Sequence, residues 1–242
     1  MLKSLKNLIR KLCVKHKIPL TKNIRYDWET VEIIKRTLNK NSNCLDIGCH
    51  KGEILKIMCE LAPEGIHIGF EPIPSLAAQL KQDFKDQNCI ILEYALSDSN
   101  GTSKFTLVDS NPAYSGLKQR TFDRSHEDTT LIEVQVRKID DLSDIPNKID
   151  LIKIDVEGAE LGVLKGARQL IITSRPLIIF EHGLGASNHY GTSPEDVYDF
   201  FKSVGYQLYN TTAYLHKKSN LSEEEFKRQY TEGLEFFFVA TC

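Results

Sequence analysis

The chain has 242 residues, 41% of them hydrophobic, with a formal charge of -2 and a pI near 6.4. That length can bury a large core without disulfide staples, and one α/β domain of this size is ordinary. The near-neutral charge argues against nucleic acid as a partner, because such binders carry a strongly basic face.

Residues 1 to 26 hold eight Lys/Arg and no acidic residue, with Leu2, Leu5, Leu8, Ile9 and Leu12 at helical spacing. The pattern predicts a basic amphipathic helix within an N-terminal extension, residues 1–42, ahead of a main domain, residues 43–242. Two readings stand for it: a helix docked on the domain with its charges in water, or a peripheral contact of residues 1–25 with an anionic membrane. No apolar run reaches the roughly 18 residues of a bilayer span, and the first residues lack the continuous apolar run expected of a signal peptide. The six cysteines form no C-x-x-C pair and sit mostly in or beside apolar runs. They read as free thiols of a reducing compartment, so the expectation is a soluble, cytoplasmic protein.

From Asn43 to about Tyr206 short apolar runs alternate with helical patterns, the mark of βαβ units and a parallel sheet. The predicted strands are "NCLDIG", "IHIGFE", "CIILEYAL", "IDLIKID" and "PLIIFEH", and the predicted helices span 53–61, 75–84, 159–172 and 194–204. The last opens with Ser193 as cap, Pro194 at its first position and Asp196 in its first turn. "TSKFTLV" and "LIEVQVRKI" flank a polar stretch, 109–130, long enough to be functional. "YQLYNTTAYL" and "EFFFVAT" lack an obvious crossover helix between them and predict an antiparallel pair closing the sheet.

"LDIGCHKGEIL" places Asp46, Gly48 and Gly52 where a buried strand turns into a helix, a turn that lets a ligand approach the backbone. A dinucleotide site wants G-x-G-x-x-G, and Asp46 would repel a pyrophosphate. S-adenosylmethionine, with an ammonium and a sulfonium, suits that acid better. Glu71 ends the second strand about 20 residues further on, placed either for ribose hydroxyls or as a cap for the helix near Ser75.

With these pieces assembled, "LDIGCHKGE", "FEPIPSLAAQL", "ALSDSNGTSKF", "SGL" at Ser115 and above all "IDLIKIDVEGAELGVLKGA" resemble the FkbM family of S-adenosylmethionine-dependent methyltransferases, over roughly residues 43–241. The resemblance implies a doubly wound, mostly parallel seven-stranded Rossmann-like sheet, order 3-2-1-4-5-7-6, with the last strand antiparallel. It implies that Asp46, Gly48 and Gly52 line the methionine end, Glu71 and Pro72 the ribose, and Ala95 and Leu96 the adenine. Many members have Ala-Asn where this chain has Cys49-His50, so His50 would have to supply the hydrogen bonds of that Asn.

In that strand order Lys153 lies in the sheet centre, with Asp46 on one neighbouring strand and Glu181 on the other; Glu181 is its predicted partner and Asp46 the runner-up. Asp155 falls at the carboxyl edge where ligands bind, Glu157 opens the next helix, and Glu160 caps it. Asp155, Glu157 and His182 are the predicted catalytic residues, His182 as general base or else as a structural histidine. The same three offer ligands to a divalent cation only weakly, and their spacing gives no metal signature, so no metal site is assigned. The expected activity is methyl transfer to a hydroxyl of a glycan or small-molecule secondary metabolite. The alternatives are a nicotinamide-dependent oxidoreductase and a non-catalytic cofactor-binding or membrane-docking module.

Overall fold

The computed structural model describes residues 20–118 and 128–242. The predicted basic helix before residue 20, and residues 119–127 of the polar stretch, lie outside the described residues. The chain runs through α1 (Lys22–Thr37), β1 (Cys44–Ile47), α2 (Glu53–Leu61), β2 (His67–Phe70), α3 (Pro74–Asp83), β3 (Cys89–Leu92), β4 (Ala95–Leu96), β5 (Gly101–Val108) and β6 (Thr129–Arg137). It continues through β7 (Leu151–Ile154), α4 (Glu160–Gly166), α5 (Arg168–Ser174), β8 (Leu177–Glu181), α6 (Pro194–Ser203), β9 (Gln207–Asn210), α7 (Thr211–Leu215), α8 (Glu223–Thr231) and β10 (Phe237–Thr241).

Among the described residues seven strands form one sheet in the order β3-β2-β1-β7-β8-β10-β9, parallel except for β10, which runs antiparallel to both its neighbours. This is the expected doubly wound order. Side-chain alternation sends Leu45, Ile47, Ile152, Ile154, Ile178 and Phe180 to one face, where α4, α5 and α6 cover them. Cys44, Leu151, Leu177 and Ile179 go to the other, under α1, α2 and α3. Both faces are therefore dry, as parallel strands require.

Four sequence expectations change. "CIILEYAL" splits: β4 leaves the main sheet and pairs with β6 in a separate three-stranded sheet, β4-β6-β5. The helix expected over 159–172 is two, because Asp140 accepts hydrogen bonds from Gln169 N (2.8 Å) and Leu170 N (3.0 Å) and starts α5 afresh. "YQLYNTTAYL" is strand only to Asn210, whose Oδ1 accepts from Ala213 N (2.7 Å) and caps α7. The charged insertion 219–233 contains α8, capped by Ser222. By contrast α6 begins on the reciprocal Ser193–Asp196 cap that its sequence announces.

Helix α1 is part of the packed body. Tyr26, Ile33 and Ile34 are buried, the isoleucines within the core cluster that also holds Leu55 and Met58. Buried Glu29 accepts hydrogen bonds from Thr211 and Thr212, each at 2.5 Å. Arg25 pairs with Glu235, to which the Tyr26 hydroxyl also donates. No described helix is long and apolar enough to cross a membrane.

Candidate active site

The carboxyl ends of β1, β2 and β7 open into a cavity with about 560 Å³ of space, counting its open mouth. Ligands of open α/β sheets bind at this edge. Its walls are the turn after β1 (Gly48, His50), the end of β2 (Glu71, Pro72, Ile73), Tyr94 with Ala95 and Leu96 of β4, and Asp155 and Glu157 after β7. The small second sheet supplies the roof: Phe105 from β5, and Pro112, Ser115 and Leu117 from the segment beyond it.

Each wall has a local cause. Gly48 has φ +76, and a Cβ there would lie 2.0 Å from the Asp155 carbonyl oxygen, so only glycine lets the β1 turn approach the β7 loop. His50 follows with φ +48, a left-handed conformation that Asn, Asp and His adopt more readily than other side chains. Its Nε2 is buried and without a hydrogen-bond partner among the described residues, and burial pushes the imidazole pKa down. Glu71 is 3% exposed, and its two oxygens accept from His50 N (2.8 Å) and Ile73 N (3.0 Å). Burial raises its pKa to about 7, against the pull of those two N–H groups.

Glu157 also has a left-handed backbone, φ +55. The loop around it is gathered by Glu160, buried beneath, whose Oε1 accepts from Val156 N (3.2 Å) and Gly158 N (3.0 Å). Glu160 therefore does more than cap a helix: it shapes the loop that presents Asp155 and Glu157.

Behind the wall lies the charged strand centre. Lys153 Nζ is 3.1 Å from Asp155 Oδ2 and 3.8 Å from Asp46 Oδ1. The predicted partner Glu181 is not the one used. Lys153 is in register with Asp46 of β1 and Ile179 of β8, so two residues further on Glu181 lies beside Asp155 instead. Burial works against the ammonium, but Asp155 and Asp46 overcome it and raise the pKa. Burial, with Asp155 and Glu157 nearby, holds Glu181 well above the usual carboxylate range. The carboxylates of Asp155, Glu157 and Glu181 approach within 4.8 Å of one another, but Lys153 already supplies positive charge on Asp155.

The structure thus brings Gly48, His50, Glu71, Pro72, Ala95, Leu96, Asp155 and Glu157 together at one cavity. It does not bring Asp46, Cys49, Gly52 or His182 to that wall. Asp46 is 1% exposed, and neither carboxylate oxygen has a hydrogen-bond partner among the described residues. Gly52 serves packing, since a Cβ there would strike Leu80 and Phe84. His182, expected at the cavity edge, is buried against Phe226 and Tyr230, with ring centroids 5.9 and 4.7 Å away. Ile73, Tyr94, Phe105 and the other roof residues have no site role in the sequence reading, although the motifs "FEPIPSLAAQL", "ALSDSNGTSKF" and "SGL" contain Ile73, Phe105 and Ser115 to Leu117.

A family model described as the methyltransferase FkbM domain matches residues 46–208, more than half the chain. The chain belongs to the FkbM methyltransferase family. Among curated relatives, this FkbM chain is 28% identical over 149 residues to 2-O-methyltransferase NoeI of Sinorhizobium fredii (strain NBRC 101917 / NGR234), an alignment covering 54% of this chain and 59% of that protein. It is 25% identical over 145 residues to Methyltransferase 1 of Beauveria bassiana (strain ARSEF 2860), covering 52% and 58%. The chain thus matches less than two thirds of the length of either relative. The crystal structure of methyltransferase FkbM from Methylobacillus flagellatus KT superposes with a TM-score of 0.53 at 15% identity, covering 98% of this chain and 59% of that one. That likeness is one of fold.

The FkbM cavity suits an adenosyl cofactor on its own geometry. Ile73, Tyr94, Ala95, Leu96 and Phe105 make an apolar slot for a flat base. Each Glu71 oxygen keeps a lone pair for a hydroxyl donor after serving its backbone N–H. His50 lines the same chamber.

Proposed function

We propose that this protein is an S-adenosylmethionine-dependent methyltransferase that acts on a hydroxyl oxygen of a glycan or similar small-molecule acceptor. The observation that carries the reading is the order of groups along one cavity: an apolar slot, then buried Glu71 held by two backbone N–H groups, then the carboxylates of Asp155 and Glu157. The bound cofactor supplies a methyl group activated on a sulfonium. Glu71 would hold the ribose hydroxyls, Ala95 and Leu96 would flank the adenine, and the Gly48 turn would let the remainder lie against the backbone.

Asp155 and Glu157 would orient the acceptor hydroxyl and take its proton, because transfer to oxygen needs both alignment and a base. The ionisable side chains that line this end include the acids Asp155 and Glu157, which supports an uncharged hydroxyl compound over a phosphate or carboxylate. The name 2-O-methyltransferase carried by the NoeI relative points to oxygen as well. Buried Cys44, Cys49 and Cys59, all free thiols, fit a reducing cytoplasm.

Calorimetry tests the cofactor: S-adenosylhomocysteine should bind and NAD should not. Incubating cell-extract glycans and small metabolites with isotopically labelled cofactor, read by mass spectrometry, should show label on oxygen. Binding of NAD alone would replace this reading with an oxidoreductase.

A further inference from the structure

The roof of the cavity is tied to the rest of the protein in an unusual way. The segment from Pro112 to Lys118 leaves the small sheet after β5 and doubles back along it. Gly116 forms an isolated antiparallel bridge with Thr106 (Thr106 N to Gly116 O 2.8 Å, Gly116 N to Thr106 O 3.1 Å), and the buried Ser115 hydroxyl accepts from Val108 N at 2.9 Å. That fixes the near side of the strap. The far side is held by the loop after β8: the Tyr190 hydroxyl accepts from Lys118 N at 2.8 Å, and Lys118 Nζ donates to His189 O at 3.1 Å while lying 5.3 Å from the Tyr190 ring centre.

This join sits over the reacting end of the cavity. A Cβ at Gly116 would be 3.2 Å from the Lys118 carbonyl oxygen, 3.3 Å from the Tyr190 hydroxyl and 3.6 Å from Glu157 Cβ, so strap, tyrosine and Glu157 are in one closely packed stack. Ser115 and Leu117, on either side of that glycine, both line the cavity. Tyr190 itself does not. We propose that Tyr190 is a positioning residue that clasps the roof strap to the loop after β8, making the roof and that loop one wall that closes over the ligand beside Glu157.

Two consequences distinguish a clasp from ordinary packing. Loss of the hydroxyl orphans the Lys118 N–H and loosens the strap on its β8 side, where the hydrogen bond from Lys118 Nζ to His189 O remains, while the Thr106 bridge still holds the other side. Ligand escape should then quicken far more than ligand entry, since the walls that recognise the ligand are unchanged. The identity of the ligand rests on the methyltransferase reading above; the clasp does not.

The test uses the full chain and two variants, Tyr190→Phe and Gly116→Ala, the second leaving the tyrosine in place but setting a methyl group 3.3 Å from its hydroxyl, close enough that the strap or the tyrosine must shift. Circular dichroism confirms folding of each. In the ligand-free protein, hydrogen exchange at the Lys118 amide should accelerate at least tenfold in Tyr190→Phe, with the core amides of β1 and β7 unchanged. With S-adenosylhomocysteine as probe, stopped-flow should show dissociation at least tenfold faster in both variants and association altered by less than threefold. Unchanged exchange at Lys118 overturns the clasp, and so does unchanged dissociation once exchange has quickened. If the wild-type chain binds no S-adenosylhomocysteine, the cofactor assignment fails, and the exchange measurement still decides whether Tyr190 holds the strap.

Discussion

Glu71 carries the heaviest burden of any single residue in the cavity, because it is desolvated before any ligand arrives. Its pKa stands near 7, so the free protein near neutrality holds it partly protonated. Two ribose hydroxyls need acceptors, and protonation removes one. Affinity for S-adenosylhomocysteine should therefore rise from pH 6 to pH 8, and Glu71→Gln should flatten that rise while weakening binding by about 1.5 to 3 kcal/mol, the worth of hydrogen bonds to a charged group. Calorimetry across the pH range checks both parts. Lys153 makes a second case. Lys153→Met keeps the apolar stem but strands Asp46 and Asp155, and breaking such a buried pair costs about 3 to 5 kcal/mol. Urea unfolding at pH 8 should show that loss, and a midpoint equal to the wild type would show that the ammonium stabilises nothing.

Among the elements, α1 shows how far the packed body extends outside residues 46–208, where the family model matches. Its contribution is burial: Ile33 and Ile34 have no exposed surface, and Glu29 is satisfied by two threonines of α7. Ile33→Ala should cost about 2 to 5 kcal/mol, read as a lowered denaturation midpoint. The sequence made the sheet legible because its strand tips are apolar, β-branched and bounded by glycine turns, and because the family likeness supplied their order. It left α1 unread, because the helical spacing read at this end of the chain is that of Leu2 to Leu12, and the burial of Ile33 and Ile34 depends on neighbours far along the chain. His182 was misplaced for a related reason. Neighbours on a strand point to opposite faces, so with Glu181 beside Asp155, His182 turns away toward α8. Glu181 as the partner of Lys153 failed by two residues of register, which no periodicity within β8 could fix. The roof residues come from a different sheet, and only tertiary structure brings Phe105 and Leu117 over Glu71.

For the whole molecule, the buried ionisable groups set opposing demands on pH. His182 is held neutral by burial, its pKa lowered to about 4 from 6.5. Its contribution to stability is complete above pH 6.5 and is lost as pH falls toward 4, because the unfolded chain takes the proton first. Glu71 and Glu160, raised to about 7 by burial, act the other way: their contribution is complete below pH 4.5 and fades as pH rises through 7. His182→Phe keeps the stack with Phe226 and Tyr230 and removes two ring nitrogens that find no hydrogen-bond partner among the described residues. The variant should gain on the wild type progressively between pH 6.5 and pH 4, measured by urea midpoints. A constant difference at all pH values would mean that His182 titrates freely in the folded protein.

The position of β10 governs how this sheet can be assembled in time. Because β10 lies between β8 and β9, β9 has no place in the sheet until a segment 27 residues further along has arrived. While that segment is missing, β8 presents a bare hydrogen-bonding edge flanked by Phe180 and Ile179, the kind of edge that recruits strands from other chains. A nascent chain therefore passes through a stage in which its cavity residues, none later than Ala159, are already made while the sheet beneath them is still open. Recovery from denaturant should accordingly depend on protein concentration, and a peptide spanning residues 235–242 should compete for the β8 edge during refolding.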